Sequence, residues 1–370
     1  MLGSLILAAA WASGSFAAPP VFAHYMPWYE AKADQGQWGW HWTMNARDPS
    51  KGELASHYRP LIGAYDSGDP DVLEYHVLLM KIAGIQGVMI DWYGIEDLYD
   101  YPSIHRHTQS LVPWIKKAGL RFALMFEDQT LTQLIKNEKI AADQAVSRTR
   151  AMLLQMQSGW FTEPAYLRMD GRPLFFVFGP QYFKDGQWPV LLDGLDPKPY
   201  FVSLHHRVPG AEGAFDWPLP SKGLEGAQAE TKAFLERAKS WPFFMPVAYP
   251  RFHDYYHEAG VHDSYGRIAD DEGHTLRTTL KDALTAGPPM IQIATWNDWG
   301  EGTQIEPSQE HGYRDLETVM ELLGRANTDA LRLPYRLYGL RKAKDARADA
   351  VSEHLFAGRY AEARAVLGDH

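Results

Sequence analysis

The chain has no cysteine among its 370 residues. Disulfides and thiolate metal sites are therefore excluded, and the composition suits an oxidising compartment. Basic residues are fewer than acidic ones, which gives a net charge of -10, and no basic stripe runs along the sequence. Because a protein that follows a phosphate backbone needs clustered Lys and Arg, we do not expect nucleic acid as a partner.

Long apolar runs are absent too, apart from one run at the N-terminus. Residues 2–12 are apolar, and small residues lie around Ser15 and Ala17. This pattern is typical of a signal peptide cleaved near Ala17, although no Lys or Arg precedes the apolar run. The run is too short for a membrane-spanning helix. We therefore expect a secreted or periplasmic protein without a membrane span.

Eight segments rich in apolar, β-branched or aromatic residues recur along the chain, and most of them alternate with helical patterns. Continuous apolar strands that alternate with helices are typical of a parallel sheet covered by helices. Eight such units predict an α/β fold of the closed (β/α)8 TIM barrel type. An open doubly wound sheet is the alternative, but no glycine-rich phosphate fingerprint supports it. The segments span 21–29, 87–94, 121–128, 173–180, 200–206, 213–219, 243–250 and 290–298.

Apolar residues at helical spacing predict helices between most of these strands. The interval 206–213 is too short for a helix, so we expect that unit of the barrel to be degenerate. The chain after Leu331 is amphipathic and predicts short helices packed on the barrel. We therefore divide the chain into a signal peptide (1–17), a barrel (18–328) and a C-terminal helical extension (329–370). The predicted barrel helices span 69–83, 103–118, 142–157, 225–239 and 276–286.

Polar and aromatic residues stand at the ends of most predicted strands. The C-terminal ends of barrel strands form one face, and that face holds the active site in such folds. Six strands would therefore direct their terminal side chains to a single mouth. These terminal residues are Trp28, Tyr29, Asp91, Trp92, Tyr93, Glu127, Asp128, His205, His206, Asp216, Trp217, Asp298 and Trp299.

The segment "ATWNDWGEGTQIEPS" follows the last predicted strand and holds two carboxyls three residues apart, Asp298 and Glu301. In a bend at Gly300 their Cβ atoms would lie roughly 5–6 Å apart, and in an extended chain about 10 Å apart. Glycosidic cleavage needs two carboxyls about 5–5.5 Å apart for retention or 6.5–9.5 Å apart for inversion, so either outcome is open. The alternative is a solvated turn or a helix cap.

Aromatic residues make up 13% of the chain, and eight Trp lie near strand ends or in the long first loop. Flat apolar rings with a polar tip suit stacking on sugar C–H faces, although some will pack the loops. The histidines are scattered without an H-E-x-x-H pattern, so we expect no metal and no cofactor. His24 or His205 is a candidate hydrogen-bond donor to a sugar. The eight Trp are Trp28, Trp38, Trp40, Trp42, Trp92, Trp217, Trp296 and Trp299.

Three separated blocks resemble glycoside hydrolase families 71 and 99 and their "71/99-like" relatives. "TWNDWGEGTQIEPS" is similar to their eighth-strand signature. Its "NDWGE" part is closer to the family 71 α-1,3-glucanases, and its "EGTQIEP" part to the family 99 endo-α-mannanases and endo-α-mannosidases. "YRPLIGAYDSGDPDVLEYHVLLMKIAGIQGVMIDWYG" and "FHDYYHEAGVHDSYGRI" resemble the same group. The resemblance covers roughly residues 20–325.

The resemblance implies a barrel whose catalytic residues follow the last strand. Asp298 stands at the position of the family 99 base, which deprotonates the sugar 2-hydroxyl to give a 1,2-anhydro sugar, and Glu301 stands at the general acid position. Glu127 matches a Glu that contacts the reacting sugar. Family 99 has Glu where this chain has the shorter Asp298, so a family 71 style Asp–Glu pair is equally consistent.

The leading hypothesis is a secreted, endo-acting α-glycosidase with Glu301 as acid, Asp298 as base and Glu127 as a third catalytic residue. A glycan-binding protein on a hydrolase scaffold, a glycan-assembly enzyme and a hydrolytic metalloenzyme are the alternatives. We expect a carbohydrate substrate and a monomer. The predicted substrate-binding residues are His24, Tyr25, Trp28, Tyr29, Asp91, Trp92, Tyr93, His205, Trp217, Asn297, Trp299 and Gln304.

Overall fold

The computed structural model describes residues 18–32, 37–184 and 186–368. The predicted signal peptide, residues 1–17, lies outside the described residues. Within the described ranges, no helix has the length and apolar character that crossing a bilayer requires.

The strands of the described residues are mostly short and apolar, and those of the barrel are nearly all buried. They are β1 (Val21–Tyr25), β2 (Ala31–Lys32), β3 (Gln37–Trp38), β4 (Gly87–Trp92), β5 (Arg121–Phe126), β6 (Arg168–Met169), β7 (Arg172–Val177), β8 (Tyr200–Leu204), β9 (Gly213–Phe215), β10 (Phe243–Met245), β11 (Val247–Ala248), β12 (Phe252–His253), β13 (Arg267–Ile268) and β14 (Ile291–Ile293).

Helices cover the outside of these strands and form the C-terminal end of the chain. They are α1 (Trp40–Thr43), α2 (Pro70–Ala83), α3 (Tyr101–Ala118), α4 (Thr130–Lys136), α5 (Ala145–Ser158), α6 (Trp188–Leu192), α7 (Gly223–Ala238), α8 (His274–Thr285), α9 (Arg314–Leu322), α10 (Leu333–Lys342), α11 (Ala348–Phe356) and α12 (Tyr360–Leu367).

The parallel strands form a barrel in the order β10-β9-β8-β7-β5-β4-β1-β14-β11. The two end strands of this order are halves of one segment, because β10 and β11 are separated only by Pro246. Proline has no N–H to donate to a ladder, but its carbonyl oxygen accepts from Gln292 N at 3.0 Å. Counting the broken segment once gives eight staves, so the predicted (β/α)8 barrel is confirmed.

Local sequence signals fix the helix ends that the pattern predicts. The helix α2 begins at Pro70, directly after Asp69, whose side chain accepts a hydrogen bond from Asp71 N at 2.9 Å. It ends at Ala83, and the next residue, Gly84, has the left-handed conformation. Proline at the first position and glycine just past the end are the usual asymmetry of helix termini. The interval between β8 and β9 carries no helix, as its length predicted.

The C-terminal helices pack on the outside of the barrel, beside α2. A buried carboxylate, Glu74 of α2, accepts from Arg341 of α10 at 2.8 Å and from Ser352 of α11 at 2.6 Å. Lys342 pairs with Asp69 at 2.6 Å at the start of α2. Because a buried carboxylate needs hydrogen-bonding partners, these contacts tie the helical tail to the barrel.

Candidate active site

A cavity of about 500 Å³ opens at the C-terminal ends of the barrel strands. Polar and aromatic side chains from most of the eight staves reach it, as expected for the active face of such a barrel. Its lining consists of His24, Met26, Trp28, Asp91, Tyr93, Glu127, Gln129, Phe178, Gln181, Trp217, Pro218, Leu219, Pro220, Ser221, Phe252, Tyr256, Tyr265, Asp298 and Glu301.

Asp298 and Glu301 lie on one tight turn that follows β14. Asp298 N donates to Thr295 Oγ1 at 2.8 Å, and Glu301 N donates to Asp298 Oδ1 at 2.9 Å. A β-carbon at Gly300 would lie 2.9 Å from Met44 Cε, so the turn also packs closely against the first loop. The chain therefore bends at this point rather than continuing extended, and it presents both carboxyls to the cavity.

The two carboxyls of this turn differ in their proton affinity. Burial raises the pKa of Asp298 to about 6, while the hydrogen bond from Glu301 N and the nearby His41 oppose the rise. Burial, and then the charge of Asp298, raise the pKa of Glu301 well above its ordinary value. Glu301 Oε2 is buried and has no hydrogen-bond partner in the described part of the chain. The negative charge of one carboxyl disfavours ionisation of the other, so Glu301 is the more readily protonated member of the pair.

Two further carboxyls face the same space from neighbouring strands. Glu127 follows β5, and its Oε2 accepts from Gln129 Nε2 at 3.0 Å and from Gln181 Nε2 at 3.1 Å. Burial and the charge of Asp91 raise the pKa of Glu127 well above the ordinary value. Asp91, at the end of β4, is 2% exposed. Both carboxyls line the cavity together with Asp298 and Glu301.

His24 is held in one orientation by a chain of amide contacts. Its Nδ1 lies 3.3 Å from Gln292 Oε1, and Gln292 Nε2 donates to Asp216 O at 3.0 Å. That donation fixes the amide, so Oε1 accepts and His24 Nδ1 carries the hydrogen. His24 Nε2 then faces the cavity, 3.8 Å from Asp91 Oδ1. Trp217 packs edge-on against the imidazole at 4.8 Å.

The structure brings together eight of the residues predicted for the site. The three predicted catalytic residues and five predicted substrate-binding residues line the cavity; they are Asp298, Glu301, Glu127, His24, Trp28, Asp91, Tyr93 and Trp217.

Three predicted substrate-binding residues near strand ends lie outside the cavity, and this corrects the prediction. Tyr25 and Trp92 are strand neighbours of His24 and Asp91, and successive side chains of a strand point to opposite faces. Tyr25 OH contacts His76 Nδ1 at 3.0 Å, and Trp92 Nε1 donates to His105 at 3.3 Å. Tyr29 is also buried, and its hydroxyl accepts from Trp299 N at 2.9 Å.

Three residues of the segment that follows β14, Asn297, Trp299 and Gln304, are likewise absent from the cavity lining. Asn297 Nδ2 and Trp299 Nε1 both donate to Tyr65 OH at 3.2 Å. Tyr65 OH donates to Glu306 Oε2 at 2.7 Å, so this buried network continues into the barrel. Gln304 is 1% exposed and also absent from the lining.

His205 is the remaining predicted residue that the cavity excludes. Its Nδ1 lies 3.0 Å from Oδ1 of Asp216, the residue that directly precedes Trp217 in the sequence. His205 therefore supports the strand end that carries Trp217, rather than reaching the cavity itself.

Sequence reasoning missed the residues that loops bring over the mouth. Gln129 and Gln181 stand just past the ends of β5 and β7, so their positions carried a usable signal. Tyr256 and Tyr265 lie in the block "FHDYYHEAGVHDSYGRI", which contributes to the resemblance but predicts no orientation.

One group of described residues is close enough to be considered for a metal, namely His57, His253 and Glu258. The two imidazoles stack at 3.6 Å with an interplanar angle of 4°. Lone pairs lie in the ring plane, so those of two parallel rings cannot meet at one ion. This arrangement is a stacked pair, and coordination would require the rings to turn.

Comparisons with known proteins show similarity to one family of glycosyl hydrolases. The model of glycosyl hydrolase family 99 matches residues 15–196, just under half of the chain. A glycoprotein endo-alpha-1,2-mannosidase-like protein of Danio rerio is 26% identical over 284 residues, which are 69% of this chain and 60% of that protein. The glycoprotein endo-alpha-1,2-mannosidase of Mus musculus is 25% identical over 313 residues, covering 78% and 62%. The chain thus spans about three fifths of the length of these relatives.

A solved structure extends the likeness to the fold. The family 99 endo-alpha-mannosidase from Bacteroides thetaiotaomicron superposes with a TM-score of 0.63 at 19% identity, over 85% of this chain and 98% of that one. The three blocks of resemblance and the family model point the same way, and the solved structure adds the shared barrel: this chain is similar to glycosyl hydrolase family 99.

Proposed function

We propose that the protein is a glycoside hydrolase that cleaves α-glycosidic bonds in a glycan or polysaccharide, with α-mannosides as the first substrates to test. The observation that carries this proposal is the single turn that presents Asp298 and Glu301 to one cavity, where burial raises the pKa of Asp298 to about 6 and burial and the charge of Asp298 raise that of Glu301. Two carboxyls with separated proton affinities are what acid–base cleavage of a glycosidic bond requires.

Each carboxyl has a distinct role in this proposal. Glu301 donates its proton to the glycosidic oxygen as the C1–O bond breaks, and the leaving sugar departs as an alcohol. Asp298, ionised at neutral pH, takes a proton either from water or from the sugar 2-hydroxyl, and the oxygen that loses this proton forms the new bond to C1. In the second case a water molecule then opens the 1,2-anhydro ring. Glu127 and Asp91 bind hydroxyls of the reacting sugar and orient it.

The charge of the cavity supports a neutral glycan as substrate. Four carboxyls line it, and of the described lining residues none is Lys or Arg. A uronate or phosphorylated sugar would therefore meet like charges without a compensating cation. The aromatic walls formed by Trp28 and Trp217 suit the apolar faces of a sugar ring. The mannosidase names of the relatives motivate α-mannosides as substrates, and we further propose a monomer that acts outside the cytoplasm.

A substrate screen with two active-site variants tests the proposal. The panel comprises α-1,2-, α-1,3- and α-1,6-linked mannans, α-1,3-glucan and bacterial exopolysaccharides, with product size and anomer followed by NMR. We expect turnover by the wild type and at least a ~10²-fold loss of turnover in Glu301→Gln and in Asp298→Asn, since each removes one acid–base partner. Glu321→Gln, on the surface and paired with Arg277, is the control.

Two results would contradict the proposal. Full activity of Glu301→Gln would remove the assigned acid. Binding of a glycan by the wild type without turnover of any panel member would favour a glycan-binding protein on a hydrolase scaffold.

A further inference from the structure

The two carboxyls of the catalytic turn have different charged neighbours: His41 and His24 lie near enough to lower the pKa of Asp298, and Asp254 lies near enough to raise that of Glu301. Asp298 lies on the side of His24 and Trp28, where His41 stacks on Trp28 at 4.1 Å. Glu301 lies on the side of the loop between β12 and β13. His253 N donates to Glu301 O at 2.8 Å at the start of that loop. The cavity therefore has a base side and an acid side.

The acid side carries three aromatic rings, Tyr256, His262 and Tyr265, which we call the rim cluster. The His262 ring centroid lies 4.5 Å from that of Tyr256 and 4.7 Å from that of Tyr265. Tyr256 and Tyr265 both line the cavity. Tyr265 is 52% exposed. Burial and the nearby charge of Glu301 raise its pKa, so a partly exposed ring lies near Glu301.

The loop holds this exposed ring in a fixed position. Asp254, which is 2% exposed, accepts from Tyr265 N at 2.7 Å and from Ser264 Oγ at 3.0 Å. Gly266, with φ +120°, lies so close to Pro220 that a β-carbon at Gly266 would stand 2.4 Å from Pro220 O. The backbone on both sides of Tyr265 is therefore anchored, and little conformational freedom remains to be lost when a ligand stacks on the ring.

We propose that the rim cluster, with Tyr265 at its centre, is the binding platform for the sugar on the leaving-group side of the scissile bond. This inference rests on the proposed function. In that reaction the proton of Glu301 passes to the glycosidic oxygen, so the sugar that keeps this oxygen lies on the Glu301 side of the cavity. That sugar meets Tyr265, whose open ring face suits a pyranose C–H face.

The platform predicts what kind of chain the protein cuts. A sugar residue bound beyond the acid means that the substrate continues past the cleaved bond. The reacting sugar on the base side is bound by His24, Trp28 and the carboxyls, whereas the leaving side is bound mainly by aromatic stacking. The site therefore accepts an internal bond of a longer neutral glycan, and it tolerates variation in the hydroxyl pattern of the leaving sugar.

A pair of substrates with and without a leaving-side sugar tests the inference. The probes are an α-1,2-linked mannotetraose and an α-mannobiosyl fluoride, whose fluoride ion needs no platform. For Tyr265→Ala we expect the ratio of kcat/KM on the tetraose to kcat/KM on the fluoride to fall at least about fivefold, the effect of losing one aromatic contact. Tyr265→Phe keeps the ring and should keep the ratio. Tyr335→Ala, on the distant helix α10, is the control for an exposed tyrosine.

The outcomes separate this inference from the proposed function. An unchanged ratio in Tyr265→Ala, or an equal loss on both probes, would overturn the platform while the hydrolase assignment stands. A wild type that hydrolyses neither probe nor any glycan of the screen would overturn the proposed function and the inference together. Thermal unfolding of each variant shows whether an equal loss reflects damage to the fold.

Discussion

Replacing Asp298 by Asn should stabilise the fold at neutral pH while it removes the base. Burial raises the pKa of Asp298 to about 6 from its ordinary 3.8. Between these values the folded protein binds a proton that the unfolded chain has lost, so the free energy of unfolding falls as the pH rises through this window. A difference of one pKa unit corresponds to about 1.36 kcal/mol, so ionisation of Asp298 lowers the free energy of unfolding at pH 7 by about 3 kcal/mol.

Asn keeps the polar contact of this turn but not the charge. Its side-chain oxygen can still accept from Glu301 N, as Asp298 Oδ1 does at 2.9 Å. The free energy of unfolding of Asp298→Asn should therefore exceed that of the wild type only slightly at pH 4 and by about 3 kcal/mol at pH 7. Urea denaturation followed by tryptophan fluorescence at both pH values measures it, with the exposed Asp193→Asn as the control.

The dependence on pH is what makes this prediction specific. A gain in the free energy of unfolding that is equal at pH 4 and pH 7 would reflect a change in packing rather than the removal of a buried charge. A variant less stable than the wild type at pH 7 would refute the reasoning, because it would mean that the ionised carboxylate is stabilised by the fold.

Two further predictions concern the pH profile and the anchored loop. The value of kcat/KM should fall as the pH drops through about 6, because Asp298 must be ionised to act as the proposed base. Asp91→Asn should move this acidic limb of the profile to lower pH, because it removes a negative charge that raises the pKa of Asp298. An acidic limb that stays in place in this variant would contradict the assignment. Gly266→Ala should cost ~1–3 kcal/mol of stability and lower cleavage of long substrates, because a β-carbon meets Pro220 O at 2.4 Å. Gly260→Ala, in the same loop with no atom within 4 Å of its β-carbon, should cost less in the same thermal and kinetic assays.

The barrel could be predicted from sequence because its signals are local. Each of the eight predicted apolar segments contains a strand, and the ends of α2 follow from Asp69, Pro70 and Gly84. The break at Pro246 could not be predicted in the same way. A strand interrupted by proline reads as one segment in the sequence, and only its pairing on both sides shows how it closes the ring.

The site could be predicted only in part, because the sequence shows which side chains of a strand share a face but not which of the two faces lines the cavity. The pattern places His24 and Tyr25 on opposite faces of β1, yet it does not say which face lines the barrel interior. Tyr265 was out of reach for another reason. Its position depends on the hydrogen bond to Asp254 and on the close approach of the next residue, Gly266, to Pro220. Contacts between distant loops produce no periodic pattern in the sequence.

The location of both reacting carboxyls on one bend has a further consequence. Their spacing is set by a few backbone torsions and by the hydrogen bond from Glu301 N to Asp298 Oδ1, so it does not depend on the diameter of the cylinder. In the proposed reaction, remodelling the loops that follow β5, β7 and β9 can therefore change which glycan fits without disturbing the distance between proton donor and acceptor. Selectivity and bond cleavage would in this way be separable properties of the molecule.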